Sequence, residues 1–172
     1  NLGNSYKRLK NFQKAITYYE KTIEINSSYA DAYNNLGIAF KSLGNDKGAI
    51  DCYKKTIQLE PNHPEAHYNF GIALKESGEE SQAITYYEKA IKIKPDYADA
   101  YNNLGHCYKD LGDFQKAINC YEQAIKFQPG NLTYFYLLSD LKKEILNPNL
   151  RNNIERIIND NNCIKRNMAF GN

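Results

Sequence analysis

Apolar positions along the chain fall into short helical stripes separated by glycine and proline. In the stretch 64–97, Ala66, Phe70, Ala73 and Leu74 share one helix face, and Ala83, Ile84, Tyr87, Ala90 and Ile91 share another after a break at Gly78. Gly44, Gly78 and Gly112 stand where a C-terminal glycine ends the first helix of a pair, and Pro61, Pro95 and Pro129 close the second. The pattern predicts helix, turn, helix, turn throughout residues 1–131. Turns are expected at 44–46, 78–80 and 112–114, and again near 61–64 and 95–98.

The same pattern recurs at a fixed period. Stretches 30–63, 64–97 and 98–131 align without a gap, each 34 residues long, and 1–29 is a fourth copy that lacks the first five positions. Asn35-Leu36-Gly37, Asn69-Phe70-Gly71 and Asn103-Leu104-Gly105 mark one point of the frame, and Asn1-Leu2-Gly3 marks it in the partial copy. Small residues in each unit face large ones. Gly37, Gly71 and Gly105 in the first helices, with Ala49, Ala83 and Ala117 in the second, allow close backbone approach. Tyr19, Tyr53, Tyr87 and Tyr121 supply bulk opposite them, as do Tyr6, Phe40, Leu74 and Tyr108.

Period, Leu-Gly in the first helix, Gly at the turn, Ala-Ile-x-x-Tyr in the second helix and a closing Pro together resemble the tetratricopeptide repeat over 1–131. Departures are mild: Ser27 replaces a closing Pro, Lys10 replaces a turn Gly, and His67 stands where Tyr33 and Tyr101 occupy the large position. The resemblance implies an all-α, right-handed superhelical solenoid of antiparallel helix pairs whose first helices line the concave side. Ala30 to Gly37 and Ala98 to Gly105, both Ala-Asp-Ala-Tyr-Asn-Asn-Leu-Gly, are most similar to the superhelical repeats of O-linked N-acetylglucosamine transferase.

Beyond Asn131 the frame is lost. Residues 132–163 read as a non-standard helix pair, with a first helix over 132–146 and Asn149 as N-cap of a second carrying Leu150, Ile154, Ile157 and Ile158. This pair is either a cap for the last apolar face or a connector, and 164–172 reads as the start of a further repeat. Lys142-Lys143, Asn147-Pro148 and the Ile-rich helix also resemble the connector of bacterial proteins that join such repeats to a sulfotransferase domain.

Charge narrows the function classes. With 22 Lys and Arg against 20 Asp and Glu, the net +2 gives no general electrostatic drive toward nucleic acid or an anionic membrane. Apolar runs such as Tyr134 to Leu138 are far below the ~20 residues of a membrane span. Cys52, Cys107, Cys120 and Cys163 show no CxxC pair, so they read as reduced thiols and point to a cytoplasmic protein. The first residue is not Met, which suits a fragment of something longer.

Enzymatic chemistry finds little support. The glycines serve packing and helix ends rather than a phosphate cradle, and helix pairs offer a groove instead of a catalytic pocket. No cofactor or metal is expected: His63 and His67 are four apart but Pro64 separates them, leaving a surface His and a packing His. Arg151, Arg156, Lys165 and Arg166 read as a solvated basic face.

One polar column stands out. Asn1, Asn35, Asn69 and Asn103 recur before each small-residue step, and random placement of 22 asparagines among 172 residues would fill such a column only about 1% of the time. In the transferase that these repeats resemble, an asparagine ladder holds the backbone of extended peptides. An amide both donates and accepts, so it suits peptide groups whatever their side chains. The same role is expected of Asn34 and Asn102 beside the column, and Asn35, Asn69 and Asn103 are expected to be unneeded for packing. Asp31, Glu65 and Asp99 border the column on one side and Lys7, Lys41, Lys75 and Lys109 on the other, which predicts a peptide of mixed charge.

The expected function is therefore a non-catalytic interaction module binding an extended polypeptide. Its alternatives are the substrate-recruiting arm of a sulfotransferase or glycosyltransferase and a self-assembling scaffold. Exposed apolar faces at the array ends, with Leu2, Tyr6 and Leu9 at one of them, also predict self-association.

Overall fold

The computed structural model describes residues 2–145. Asn1, the helix expected over 149–158 and the restart expected over 164–172 lie outside the described residues. Within them the chain is all-α. Four antiparallel pairs follow one another: α1 (Leu2–Arg8) with α2 (Phe12–Ile25), α3 (Ala30–Ser42) with α4 (Asp46–Leu59), α5 (Pro64–Glu76) with α6 (Glu80–Ile93), and α7 (Ala98–Asp110) with α8 (Phe114–Phe127). A ninth helix, α9 (Leu132–Ile145), packs against α8 with Tyr134 and Leu141 buried.

The turn within each pair is built by one local device. Gly44, Gly78 and Gly112 take positive φ of 77°, 82° and 76°, a conformation that costs glycine nothing sterically. That twist lets the next residue close the first helix. The N–H of Asn45 donates to the Phe40 carbonyl, that of Glu79 to Leu74 and that of Asp113 to Tyr108. Asn45 and Asp113 then turn their side-chain oxygens to the N–H groups of Gly48 and Lys116 and so cap the second helix. Lys10 holds the same position in the first pair at φ 55°, with Asn11 closing α1 and capping α2.

Packing within a pair rests on glycine against tyrosine. A Cβ at Gly37 would stand 2.6 Å from the Tyr53 ring, and one at Gly71 2.7 Å from Tyr87, so only hydrogen fits. Gly3 faces Tyr19 and Gly105 faces Tyr121 in the same way. All four rings are buried, and they anchor successive buried clusters that are joined by the partly buried Phe40 and Tyr108. Each second helix also packs on the following first helix, while α3 touches α5 and α5 touches α7 directly. The first helices therefore form a continuous inner row.

Candidate functional site

The asparagine column lies along that row, on α3, α5 and α7. Its members are half-buried, and each is already bonded within the array. Asn35 donates through Nδ2 to the Asp31 carbonyl one turn back, at 2.9 Å, and its Oδ1 accepts from Lys7 Nζ. Asn69 Nδ2 reaches across to Asn34 Oδ1 on the preceding first helix, at 3.0 Å, and Asn34 is itself buried. Asn103 Nδ2 donates to the Tyr68 hydroxyl at 3.2 Å, Tyr68 being the repeat equivalent of Asn34. Asn102 donates weakly, at 3.4 Å, to Asn103 Oδ1. The expectation that these amides take no part in packing is thus corrected: Asn35, Asn69 and Asn103 each bond a neighbouring repeat. An amide has two N–H donors; Asn35 and Asn69 each use one within the array, whereas Asn103 bonds both the Tyr68 and the Tyr87 hydroxyls.

The lysine border is also different from the reading of a free basic edge. Lys41 pairs with Asp46 at 2.7 Å and with Glu76, Lys75 pairs with Asp110 at 3.0 Å, and Lys109 stands 3.8 Å from Asp140. Lys7 spends its ammonium on Asn35. The side chains of Lys41, Lys75 and Lys109 are long enough to span to the next helix of the row, where an acidic residue stands in each case. Bonding to Asp46 and Glu76 holds the Lys41 ammonium above its usual range, and burial lowers that of Lys7. These lysines clamp repeat to repeat.

The acidic border keeps more of its charge available. Asp31 accepts from His63 Nε2 at 3.1 Å, Asp99 accepts from the Tyr134 hydroxyl at 2.6 Å, and Glu65 lies 3.4 Å from His63 Nδ1. His63 is buried instead of lying at the surface: Nδ1 accepts from the Ala66 N–H and caps α5, which starts at Pro64. That bond leaves the proton on Nε2, where it faces Asp31. Around this pair opens a cavity of about 410 Å³ lined by Asp31, Asn34, Asn35, Glu60, His63, Pro64 and Glu65. Sequence reasoning missed His63 and Glu60 here. The signal for His63 was its place directly before a helix-starting proline.

Other candidate chemistry is quiet. Cys52 and Cys120 are buried thiols pushed up to about 12 by desolvation, and Cys107 is buried and raised for the same reason. Among the described residues no group of three or more His, Cys, Asp or Glu is arranged to hold a metal ion. No helix among them is long and apolar enough to cross a membrane.

Geometry of this kind defines a helical-repeat solenoid, with a polar, carboxylate-edged inner row of first helices. Models of the tetratricopeptide repeat match residues 30–63 and 98–131 in one form, 3–44 and 73–112 in a second and 52–85 in a third, spanning 3–131 between them. The chain belongs to the tetratricopeptide-repeat family. Solved structures of MamA are similar: one superposes with a TM-score of 0.75 at 28% identity, covering 88% of this chain and 87% of that one. YrrB, described as a TPR protein with an unusual peptide-binding site, superposes at 0.68 with 22% identity, over 82% of this chain and 73% of its own. No curated protein sequence matches.

Proposed function

We infer that the inner row of first helices binds an extended polypeptide, its backbone met by the side-chain amides of Asn35, Asn69 and Asn103. The observation that carries this reading is the column itself: three half-buried amides at equivalent points on α3, α5 and α7, with a donor left over on Asn35 and on Asn69. Successive first helices about 10 Å apart would be spanned by roughly three extended residues each. A segment of about eight residues then crosses all three amides. The lysines are internally paired while Asp31, Glu60 and Glu65 gather at one cavity, so the ligand places a cationic side chain there. YrrB, as a relative in fold with a peptide site, supports the general role.

The test uses a panel of acetylated peptides of about eight residues, each with one Lys or Arg among Ser and Thr, titrated by fluorescence anisotropy. Replacing Asn35, Asn69 and Asn103 together by Ala removes three backbone bonds of ~0.5 to 1.5 kcal/mol each, which weakens binding by roughly 10 to 10³-fold. The same replacements lower stability by ~0.5 to 1.5 kcal/mol for each of Asn69 and Asn103, since Asn34 and Tyr68 lose their donors. Affinity is therefore read at a temperature where the variant is still folded. Unchanged affinity in the folded triple variant would contradict the reading.

A further inference from the structure

A second cavity opens on the opposite side of the array. It has a volume of about 600 Å³ and lies between the second helices α4 and α6, lined by Ile57, Pro61, Asn62, His67, Lys89, Lys92 and Ile93. Asn69 of the inner row stands about 200° round α5 from His67, so the two surfaces are separate. Volume and lining are those of a ligand site, with apolar walls and a few polar groups.

The repeat supplies its own controls for why the cavity is here. Its equivalents one period earlier are Ile23, Ser27, Ser28, Tyr33, Lys55, Gln58 and Leu59, and one period later Ile91, Pro95, Asp96, Tyr101, Gln123, Lys126 and Phe127. In both neighbours a tyrosine occupies the position of His67, and Tyr101 fills its junction by stacking on Phe127 with centroids 5.8 Å apart. His67 is smaller and is drawn inward, its Nε2 donating to the Pro61 carbonyl at 2.8 Å while its ring stacks on Tyr86. Its Nδ1 is left buried with no hydrogen-bond partner among the described residues. The space a tyrosine would fill is thus open between Ile57 and Ile93.

Charge at the rim is equally local. Only this junction sets two lysines one helical turn apart on its wall. The earlier one has Gln58 in place of Lys92, and the later one has Gln123 in place of Lys89 and a carboxylate, Asp96, in place of Asn62. Lys89 and Lys92 are both exposed, with Lys89 resting 4.6 Å over the Tyr86 ring. An apolar slot under two ammonium groups is complementary to an apolar side chain flanked by carboxylates. The slot is open along its length to solvent, which suits a side chain presented by a polypeptide better than an acyl chain needing enclosure.

We propose that the cleft between α4 and α6 is a second binding site, for an acidic peptide segment that inserts one large apolar side chain between Ile57 and Ile93 and sets its carboxylates against Lys89 and Lys92. The array then carries two peptides of opposite charge on opposite sides, joining two partners.

The probe is the synthetic peptide acetyl-Asp-Glu-Phe-Leu-Asp-Glu-amide, titrated into the isotope-labelled chain and followed by amide chemical shifts. Shifts at Ile57, Asn62, Lys92 and Ile93 are expected. The Lys89→Glu/Lys92→Glu variant, altered only at exposed positions, should weaken binding about tenfold at low salt. His67→Tyr should close the slot as tyrosine does at 33 and 101 and abolish the shifts. Should that variant fail to fold, the lysine variant decides. Shifts confined to the first helices, unaltered binding by either folded variant, or equal binding of the same peptide with Lys for each acidic residue would overturn the proposal. So would shifts at these residues produced by dodecanoate and not by the peptide.

Discussion

Two residues that depart from the repeat pattern carry measurable consequences. Lys10 holds φ 55° where the equivalent residues of the other three pairs are glycines, and a side chain in that region costs about 1 kcal/mol. Lys10→Gly should therefore raise the stability of the chain by about 1 kcal/mol in chemical denaturation, with an unchanged m-value. Two histidines, His67 buried and His106 half-buried, act through pH. Desolvation lowers both below the ordinary histidine value of 6.5, in His67 against an opposing hydrogen bond to the Pro61 carbonyl. Below that value the unfolded chain binds more protons than the folded one. The stability these groups contribute is present above pH 6.5 and is lost as pH falls through their folded values. Comparing unfolding at about pH 7.5 and about pH 5, the His67→Tyr/His106→Ile variant should lose less stability than the unaltered chain. An equal loss in both would remove the histidines from the account.

At the scale of elements, one of the four second helices lacks a side-chain cap. Asn11, Asn45 and Asp113 close a first helix and cap the second, while Glu79 in the same position closes α5 but accepts from no backbone N–H at the start of α6. Its chain is one methylene too long for the cap, and its carboxylate turns to Gln82 and Ser77. Glu79→Asp should stabilise the chain by ~0.5 to 1 kcal/mol, read as a rise in the denaturation midpoint. No change would mean that the Gln82 and Ser77 contacts offset a cap. The elements themselves were legible because their signals are local. Glycine at 44, 78 and 112 names a positive φ, and the Gly-to-Tyr pairing names a close approach, with no need of distant partners. The status of the lysines was not legible from one helix at a time. It depends on reach between repeats, and its signal is the constant offset of 35 residues from Lys41 to Glu76 and from Lys75 to Asp110.

At the scale of the whole molecule, sequence periodicity located the inner row but misjudged its chemistry. Asparagines at a 34-residue period were read as free for a ligand, whereas superposed helices bring Asn69 to Asn34 and Asn103 to Tyr68, so the column is part scaffold and part surface. The 410 Å³ cavity was illegible for a related reason, since it is volume left unfilled between repeats; at the cleft the sequence showed the smaller residue, His67 in place of tyrosine, but not the space it leaves. The reading of the inner row as a peptide surface rests on the repeat of the column and on the donor that Asn35 and Asn69 each retain. The measurement that tests it most directly follows the side-chain Nδ2–H resonances of Asn35, Asn69 and Asn103 as the Lys- or Arg-bearing peptides are added. Concerted, saturable shifts of all three at one dissociation constant are predicted. Resonances that stay in place while a peptide binds elsewhere on the chain would contradict the account.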